Sequence, residues 1–428
     1  MYKKTPWLDI DRGVFVCLGA RSVDRSQHKR KGKEMAKNTI RMYLLFSVVS
    51  RLSFAFGFTT YVVFLMSRGL NIFQASLINM VFFFTLFVFE IPTGAIADVF
   101  GRKLSFVLSG IITALGFFFY YISQSFWGFA LAEATIAIGS TLASGAFQAW
   151  LVDKLRYHNY HGELNKVFSR EQMLDGTATI VGGVIGAYLG KFNLAWPWLA
   201  GAVGMSLLTI AAQVFMKEEY FVRQEFSWHQ GWQAMKQVAK NSWQYGVNSK
   251  PVRFLILIGT VQLFAVQALN MQWQPYFSKY LSSPLGLGWI FASFSVFIIL
   301  GSWLAPRFSK VMSNEKKLLL FTQLFIGAMI LATAVSQTLY LTLSFFIAHE
   351  FGRGVFKPLK DQYLHDNIAS NIRATLVSFE SMSHHVGGFL GLLLAGYLGQ
   401  VFSISIAWIV SGVILIVASL ALAKNGHA

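Results

Sequence analysis

The chain has a single cysteine, Cys17, which rules out an intrachain disulfide. It also has little charge: Asp, Glu, Lys and Arg make up 13% of its 428 residues, against 55% hydrophobic and 16% aromatic, and the mean hydropathy is +0.51. That balance excludes an ordinary soluble globular protein and indicates a polytopic membrane protein. Acids are scarcer still, 19 against 36 Lys and Arg, for a formal net charge of +17. In a soluble chain this excess would point to nucleic acid. Here the cations lie between apolar blocks and in the tails, where they orient membrane spans, so no nucleic-acid partner is expected. Catalytic signatures are missing too: there is no P-loop, no HExxH, no paired CxxC and no GxSxG elbow. ATP hydrolysis by this chain and membrane-enzyme chemistry are therefore disfavoured, and neither a cofactor nor a metal ion is expected.

What the chain does contain is a succession of apolar stretches. A helix needs about 20 apolar residues to cross roughly 30 Å of hydrocarbon. Twelve candidates run over residues 41 to 66, 72 to 97, 104 to 123, 127 to 151, 170 to 190, 196 to 216, 253 to 278, 287 to 305, 317 to 336, 338 to 360, 374 to 399 and 403 to 423. The odd-to-even connections hold few cations (Arg68, Lys191, Lys279), whereas the even-to-odd connections and tails hold nearly all the others, among them Arg102, Lys103, Lys154, Arg156, Lys166, Arg307, Lys310 and Arg373. By the positive-inside rule both termini are cytoplasmic. The expected fold is an all-α membrane protein of twelve transmembrane helices.

Composition divides the chain into four segments. Residues 1–38 read as a basic cytoplasmic tail whose one apolar run, GVFVCLGA, is short and lacks the layout of a secretory signal. A second reading starts translation at Met35, because KGKEM can be encoded by purine-rich codons resembling a ribosome-binding site. Residues 39–216 form a first six-helix bundle and residues 253–428 a second. Between them, residues 217–252 form a cytoplasmic linker in which Trp228, Trp232, Met235 and Val238 recur at helical spacing, which predicts an interfacial helix in the headgroup layer. The bundles echo each other: VGGVIGAYLG at 181–190 recurs as VGGFLGLLLAGYLG at 386–399, and GAFQAWL at 145–151 as GVFKPLK at 354–360, at offsets of 205 and 209. Each pair crosses in one direction, so the halves are parallel repeats about an axis along the membrane normal.

The stretch EIPTGAIADVFGRKLSF, 90–106, sets charges against this apolar background. Its glycines allow a tight turn, and Asp98, Arg102 and Lys103 can pair with a neighbouring helix or its terminus. The part from Gly94 onward resembles the signature loop of the major facilitator superfamily, with Gly94, Asp98, Gly101, Arg102 and Lys103 in the matching positions. The fuller pattern, including Arg51, RGL, EIPTG and RAT, resembles a prokaryotic, drug-efflux-like subgroup. The resemblance implies two six-helix bundles that expose a midplane cavity to each side in turn. It also implies a cytoplasmic gate in which Asp98 meets the start of the eleventh helix, near Arg373, Ala374 and Thr375. The second-half counterpart, GSWLAPRFSK at 301–310, has no aspartate. The family's antiporter motif in the fifth helix normally has proline. Here Gly182, Gly183, Gly186 and Gly190 stand without it, at the small-residue spacing of close helix packing.

Ionisable residues in hydrocarbon are costly and so are functional candidates. Depths taken at about 1.5 Å per residue place Arg51 level with Glu90, and Arg353 level with Glu380. Glu350, one turn from Arg353, competes with Glu380 for it, an arrangement suited to a proton relay or to a fixed polar brace. His349, His384 and His385 titrate near neutral pH, and at most one of the adjacent pair faces a cavity. Asp175 falls on Glu380 in the repeat alignment and reads either as a water-reached acid or as a helix-start residue, and the role of Glu133 is open. Gln267, Asn270 and Gln274 make one polar stripe beside Trp273, suited to an organic substrate or to interhelical bonding. These features predict a secondary active transporter of a small organic molecule, working as a monomer in the lipid bilayer of a cell membrane, the bacterial inner membrane. Protons are the expected coupling ion, with exchange at Glu90, Glu350 or Glu380, and export of amphipathic compounds the expected direction. Proton-symport or facilitated uptake, and a non-transporting membrane sensor or scaffold, are the alternatives.

Overall fold

The computed structural model describes residues 14–160, 162–221, 249–312, 314–367 and 370–424. The interfacial linker helix expected around Trp228 to Val238 lies outside them, as do the first thirteen residues of the tail. Among the described residues there are fourteen helices: α1 Val14–Phe58, α2 Tyr61–Ser67, α3 Ile72–Phe100, α4 Arg102–Ile122, α5 Phe126–Ala143, α6 Ala146–Tyr157, α7 Leu164–Phe192, α8 Trp196–Phe215, α9 Lys250–Ser278, α10 Pro284–Val311, α11 Glu315–Val335, α12 Leu339–Asn367, α13 Ser370–Val401 and α14 Ile404–Lys424. Among the described residues, ten stretches are long and apolar enough to cross a membrane. Helices α12 and α13 are as long, 29 and 32 residues, but His349, Glu350 and Arg353 on one, and Glu380, His384 and His385 on the other, lower their apolarity.

Local chemistry sets the breaks. The α3 start is closed by a capping box: the Asn71 side chain accepts from the Gln74 backbone N–H while Gln74 accepts from that of Asn71. The expected first helix is interrupted at Thr59 and Thr60, which separate α1 from α2, and the expected fourth is interrupted at Ser144 and Gly145. Gly145 has φ +71 and Gly101, between α3 and α4, has φ +100, conformations that side-chain-bearing residues avoid.

The packing repeats. In the first half α1 packs on α7 and α8, α4 on α5 and α8, and α3 on α5. In the second half α9 packs on α13 and α14, α11 on α12 and α14, and α10 on α12. These are corresponding partners, as the sequence echo requires. The halves meet along two seams, α3 with α13 and α7 with α10. Glycines set both kinds of contact. A Cβ on Gly186 of α7 would strike the Phe56 backbone of α1, and one on Gly391 of α13 would strike the Phe264 backbone of α9. At the seams, a Cβ on Gly183 would come within 2.6 Å of the Phe291 ring, and one on Gly396 within 2.7 Å of Ser76 Cβ. The small-residue spacing in the fifth span is thus a close-packing device. Gly186→Ala should force α1 and α7 apart at a cost of about 1–3 kcal/mol. It is expected to lower the midpoint of thermal unfolding of the purified protein, measured by intrinsic tryptophan fluorescence, while Ala at neighbouring lipid-facing Ile185 leaves it nearly unchanged.

Candidate functional site

Between the halves lies a cavity of about 1050 Å³. On the first-half wall, α5 presents Glu133, which is 6% exposed. Its carboxylate accepts from the Tyr120 hydroxyl at 2.5 Å, from the Asn79 amide at 3.3 Å and from the Tyr61 hydroxyl at 3.4 Å. The Trp198 indole stacks on Tyr120 with centroids 4.1 Å apart and holds this aromatic backing in place. No cation is paired with Glu133 among the described residues. Nearer the α3–α4 turn, Glu171 and Asp175 line the same cavity one helical turn apart on α7. Tyr43 donates to Glu171 at 2.6 Å, and Ser47 reaches Asp175 at 2.7 Å and Glu171 at 3.4 Å.

The second-half wall is organised differently. Arg353 Nη1 donates to both Glu350 oxygens, at 2.8 and 2.9 Å, and to Asn270 Oδ1 at 3.0 Å. Asn270 in turn donates to Gln267 Oε1 at 2.9 Å, and the buried Gln267 Nε2 has no hydrogen-bond partner among the described residues. A chain of polar groups therefore ends in a spare donor at the cavity wall, beside Trp273. His349 is fully buried behind it. Its Nδ1 donates to the Phe346 carbonyl, which leaves Nε2 facing Glu350 at 3.6 Å. His349 belongs to the support of Glu350 and does not line the cavity.

Several expectations are corrected here. No ion pair joins Arg51 and Glu90 among the described residues: α1 packs on α7 and α8 while α3 packs on α5 and α13, so equal depth did not bring them together. Arg51 lines the cavity, and Glu90 does not. Arg353 and Glu380 do not meet. Glu380 pairs with Lys360 at 2.6 Å and lies 3.6 Å from His384, and His384 packs against Gly259 away from the cavity. The depth estimate failed because α12 extends to Asn367 and α13 begins at Ser370, so the chosen reference residues lie inside the helices. Asp175 is no helix-start residue, since α7 begins at Leu164.

Gln274 lines the cavity with Gln267 and Asn270, but its amide is spent on backbone groups. It is 3% exposed, and its amide reaches across to the first half, donating to the Phe58 carbonyl at 2.7 Å and accepting from the Val62 N–H at 2.8 Å. Those are the backbone groups freed where α1 breaks into α2, so Gln274 is a strut that closes one end of the cavity. The sequence reading also passed over Glu171, Asn79, Tyr61, Tyr120 and Lys360. Only Glu171, four residues before Asp175, carried a periodic signal. In the signature loop, Arg102 pairs with Asp153 at 3.3 Å and Lys103 Nζ donates to the Gln213 carbonyl at 2.8 Å. The side chains of Asp98 and of Arg373, Ala374 and Thr375 lie outside the described residues. Gln274→Leu orphans a buried donor and a buried acceptor, at about 1–3 kcal/mol each. It should lower the thermal midpoint and raise amide exchange at residues 58 to 64, read by mass spectrometry.

A family model described as the Major Facilitator Superfamily matches residues 43–274 and 255–425. The chain is similar to the uncharacterized MFS-type transporter YxaM of Bacillus subtilis, 25% identical over 382 residues that span 88% of this chain and 93% of the relative. It is also similar to the multidrug resistance protein MdtH of Yersinia enterocolitica, 22% identical over 334 residues, 75% of this chain and 77% of the relative. Among solved structures, the nucleoside transporter NupG superposes with a TM-score of 0.74 at 13% identity, covering 90% of this chain and 98% of that one. A mutant of the peptide transporter POT in complex with sulfate superposes at 0.72 and 13%, covering 92% and 98%. At such identities these likenesses show the fold alone. The family model, however, spans both halves around the shared cavity, and the chain belongs to the Major Facilitator Superfamily of membrane transporters, which are not enzymes.

Proposed function

We propose that this transporter is a proton-coupled secondary carrier that exports amphipathic organic molecules bearing a positive charge, working by alternating access between two six-helix halves. The observation that carries the reading is Glu133, a buried, cavity-lining carboxylate held, among the described residues, by neutral hydrogen-bond donors. Glu350 is already engaged by Arg353. Glu133 can instead receive either a proton or the cationic group of a substrate, in a place that no guanidinium fills. The cavity walls carry Glu133, Glu171, Asp175 and Glu350 against Arg51 and Arg353, an excess of negative charge set among Phe54, Phe117 and Trp198. Carboxylate with aromatic faces is the chemistry that recognises organic cations. Arg353, Asn270, Gln267 and Trp273 supply the opposite wall and orient the polar remainder of the substrate.

In this reading the signature loop marks the cytoplasmic end, both termini are cytoplasmic, and α12 and α13 complete twelve spans in the bacterial inner membrane. Contacts between the halves gather at the other end, where Gln274 reaches Phe58 and where a Cβ on Gly288 or Gly396 would press on Ala187 or Ser76. The cavity extends the opposite way to Gln148 and Asp175, which accords with loading from the cytoplasm. Similarity to proteins named multidrug resistance protein MdtH supports export. The test is proton movement in proteoliposomes, followed with a pH-sensitive dye while cationic, neutral and anionic compounds are added. Glu133→Gln should abolish substrate-triggered proton flux, with gradient-driven transport at least about tenfold slower, while counterflow exchange of substrate persists. Undiminished coupling in that variant would remove Glu133 from the mechanism, and coupling lost instead in Glu350→Gln would move the role to the second half.

A further inference from the structure

The chain leaves α8 at Phe215, and the next residues do not run free toward the second half. They cross the end of the first half and fasten onto it. The Trp150 indole N–H donates to the Lys217 carbonyl at 3.2 Å, Glu219 pairs with Lys154, and the Tyr220 hydroxyl donates to the Trp150 carbonyl at 3.1 Å. The Lys154 ammonium holds the Glu219 carboxyl below the usual carboxylate range. Between these ties, Glu218 spans the start of α4: Oε1 accepts from the Arg102 N–H at 2.9 Å and Oε2 from the Lys103 N–H at 3.0 Å. First-turn N–H groups have no partner within their own helix, and an anion there is favoured by the helix dipole. The residue that supplies it lies more than a hundred positions along the chain. Gly101 is required twice over: its φ of +100 excludes most side chains, and a Cβ there would lie 2.7 Å from Glu218 Oε2.

The arrangement has a mechanical consequence. Gly101, Arg102 and Lys103 are the last residues of the signature loop, and Glu218 is the second residue of the segment that connects the halves. The loop's backbone is thus tied to the linker directly, through the Glu218 carboxylate. We infer that Glu218 is a positioning residue of the gate: it clasps the linker to the signature loop, so that linker and gate loop shift together. The inference rests on the alternating-access reading for its purpose, but its geometry can be tested without transport.

The experiment uses the full chain in lipid nanodiscs with Cys17 replaced by Ser. Spin labels at Lys166→Cys and Lys310→Cys, exposed positions on α7 and α10 at the signature-loop end of each half, report the separation of the halves by pulsed electron resonance. Amide exchange over residues 101 to 105 reports the clasp. Glu218→Ala should raise exchange at Arg102 and Lys103 at least tenfold and shift the label-distance distribution, whereas Glu218→Gln, which keeps one strong acceptor, should fall between. Gly101→Ala should reproduce Glu218→Ala. Faster exchange with an unchanged distance distribution would reduce Glu218 to a helix cap and overturn the inference, as would unchanged exchange. Absence of transport with every compound would count against the proposed function and leave both readouts intact. A thermal midpoint within a few degrees of the parent shows that each variant is folded.

Discussion

A polar group in hydrocarbon has no water to turn to, and several irregular features of this fold are placed where another part of the protein satisfies them. The break between α1 and α2 frees the Phe58 carbonyl and the Val62 N–H, and a glutamine from the opposite half takes both. The Glu133 carboxylate of α5 is wrapped by two phenols and an amide from three other helices, α2, α3 and α4. Where the chain leaves the apolar layer, the first turn of α4 is closed by a carboxylate from beyond α8. The same demand explains why the cavity can be polar at all: its groups are bonded on the protein side and present their remaining capacity inward.

The two halves share a packing plan but divide the chemistry of the cavity unequally. The first contributes Glu133, Glu171 and Asp175, for which no ion pair occurs among the described residues, together with Arg51, and the second a guanidinium already engaged with a carboxylate and an amide. Equivalent positions of the repeat have diverged in this way as well. Asp175 lines the cavity with a serine as its partner, while Glu380, its counterpart, is turned away to Lys360. Repetition gives the scaffold, and asymmetry of side chains gives the cavity a direction.

Much of this was legible in the sequence. Spans, repeat and close-packed glycines follow from apolar run length and small-residue spacing, which are one-dimensional signals. The pairs Glu350 with Arg353, and Gln267 with Asn270, were legible because they lie one turn apart on single helices. What could not be read were contacts between helices. Matching Arg51 to Glu90 by depth fixed one coordinate and left the neighbour relation open, and the choice of partner for Glu380 failed because helix ends were misjudged by several residues. Glu218 carried no signal at all, since its targets are backbone groups more than a hundred residues away.

The seams between the halves hold one more lesson. Phe291 of the second half rests in the notch at Gly183 of the first, where a Cβ would come within 2.6 Å of its ring. A flat ring in a side-chain-free notch resists approach and lateral slip but offers little resistance to rolling. The α7–α10 seam is held at that point by ring packing, with no hydrogen bond of the Phe291 ring to break.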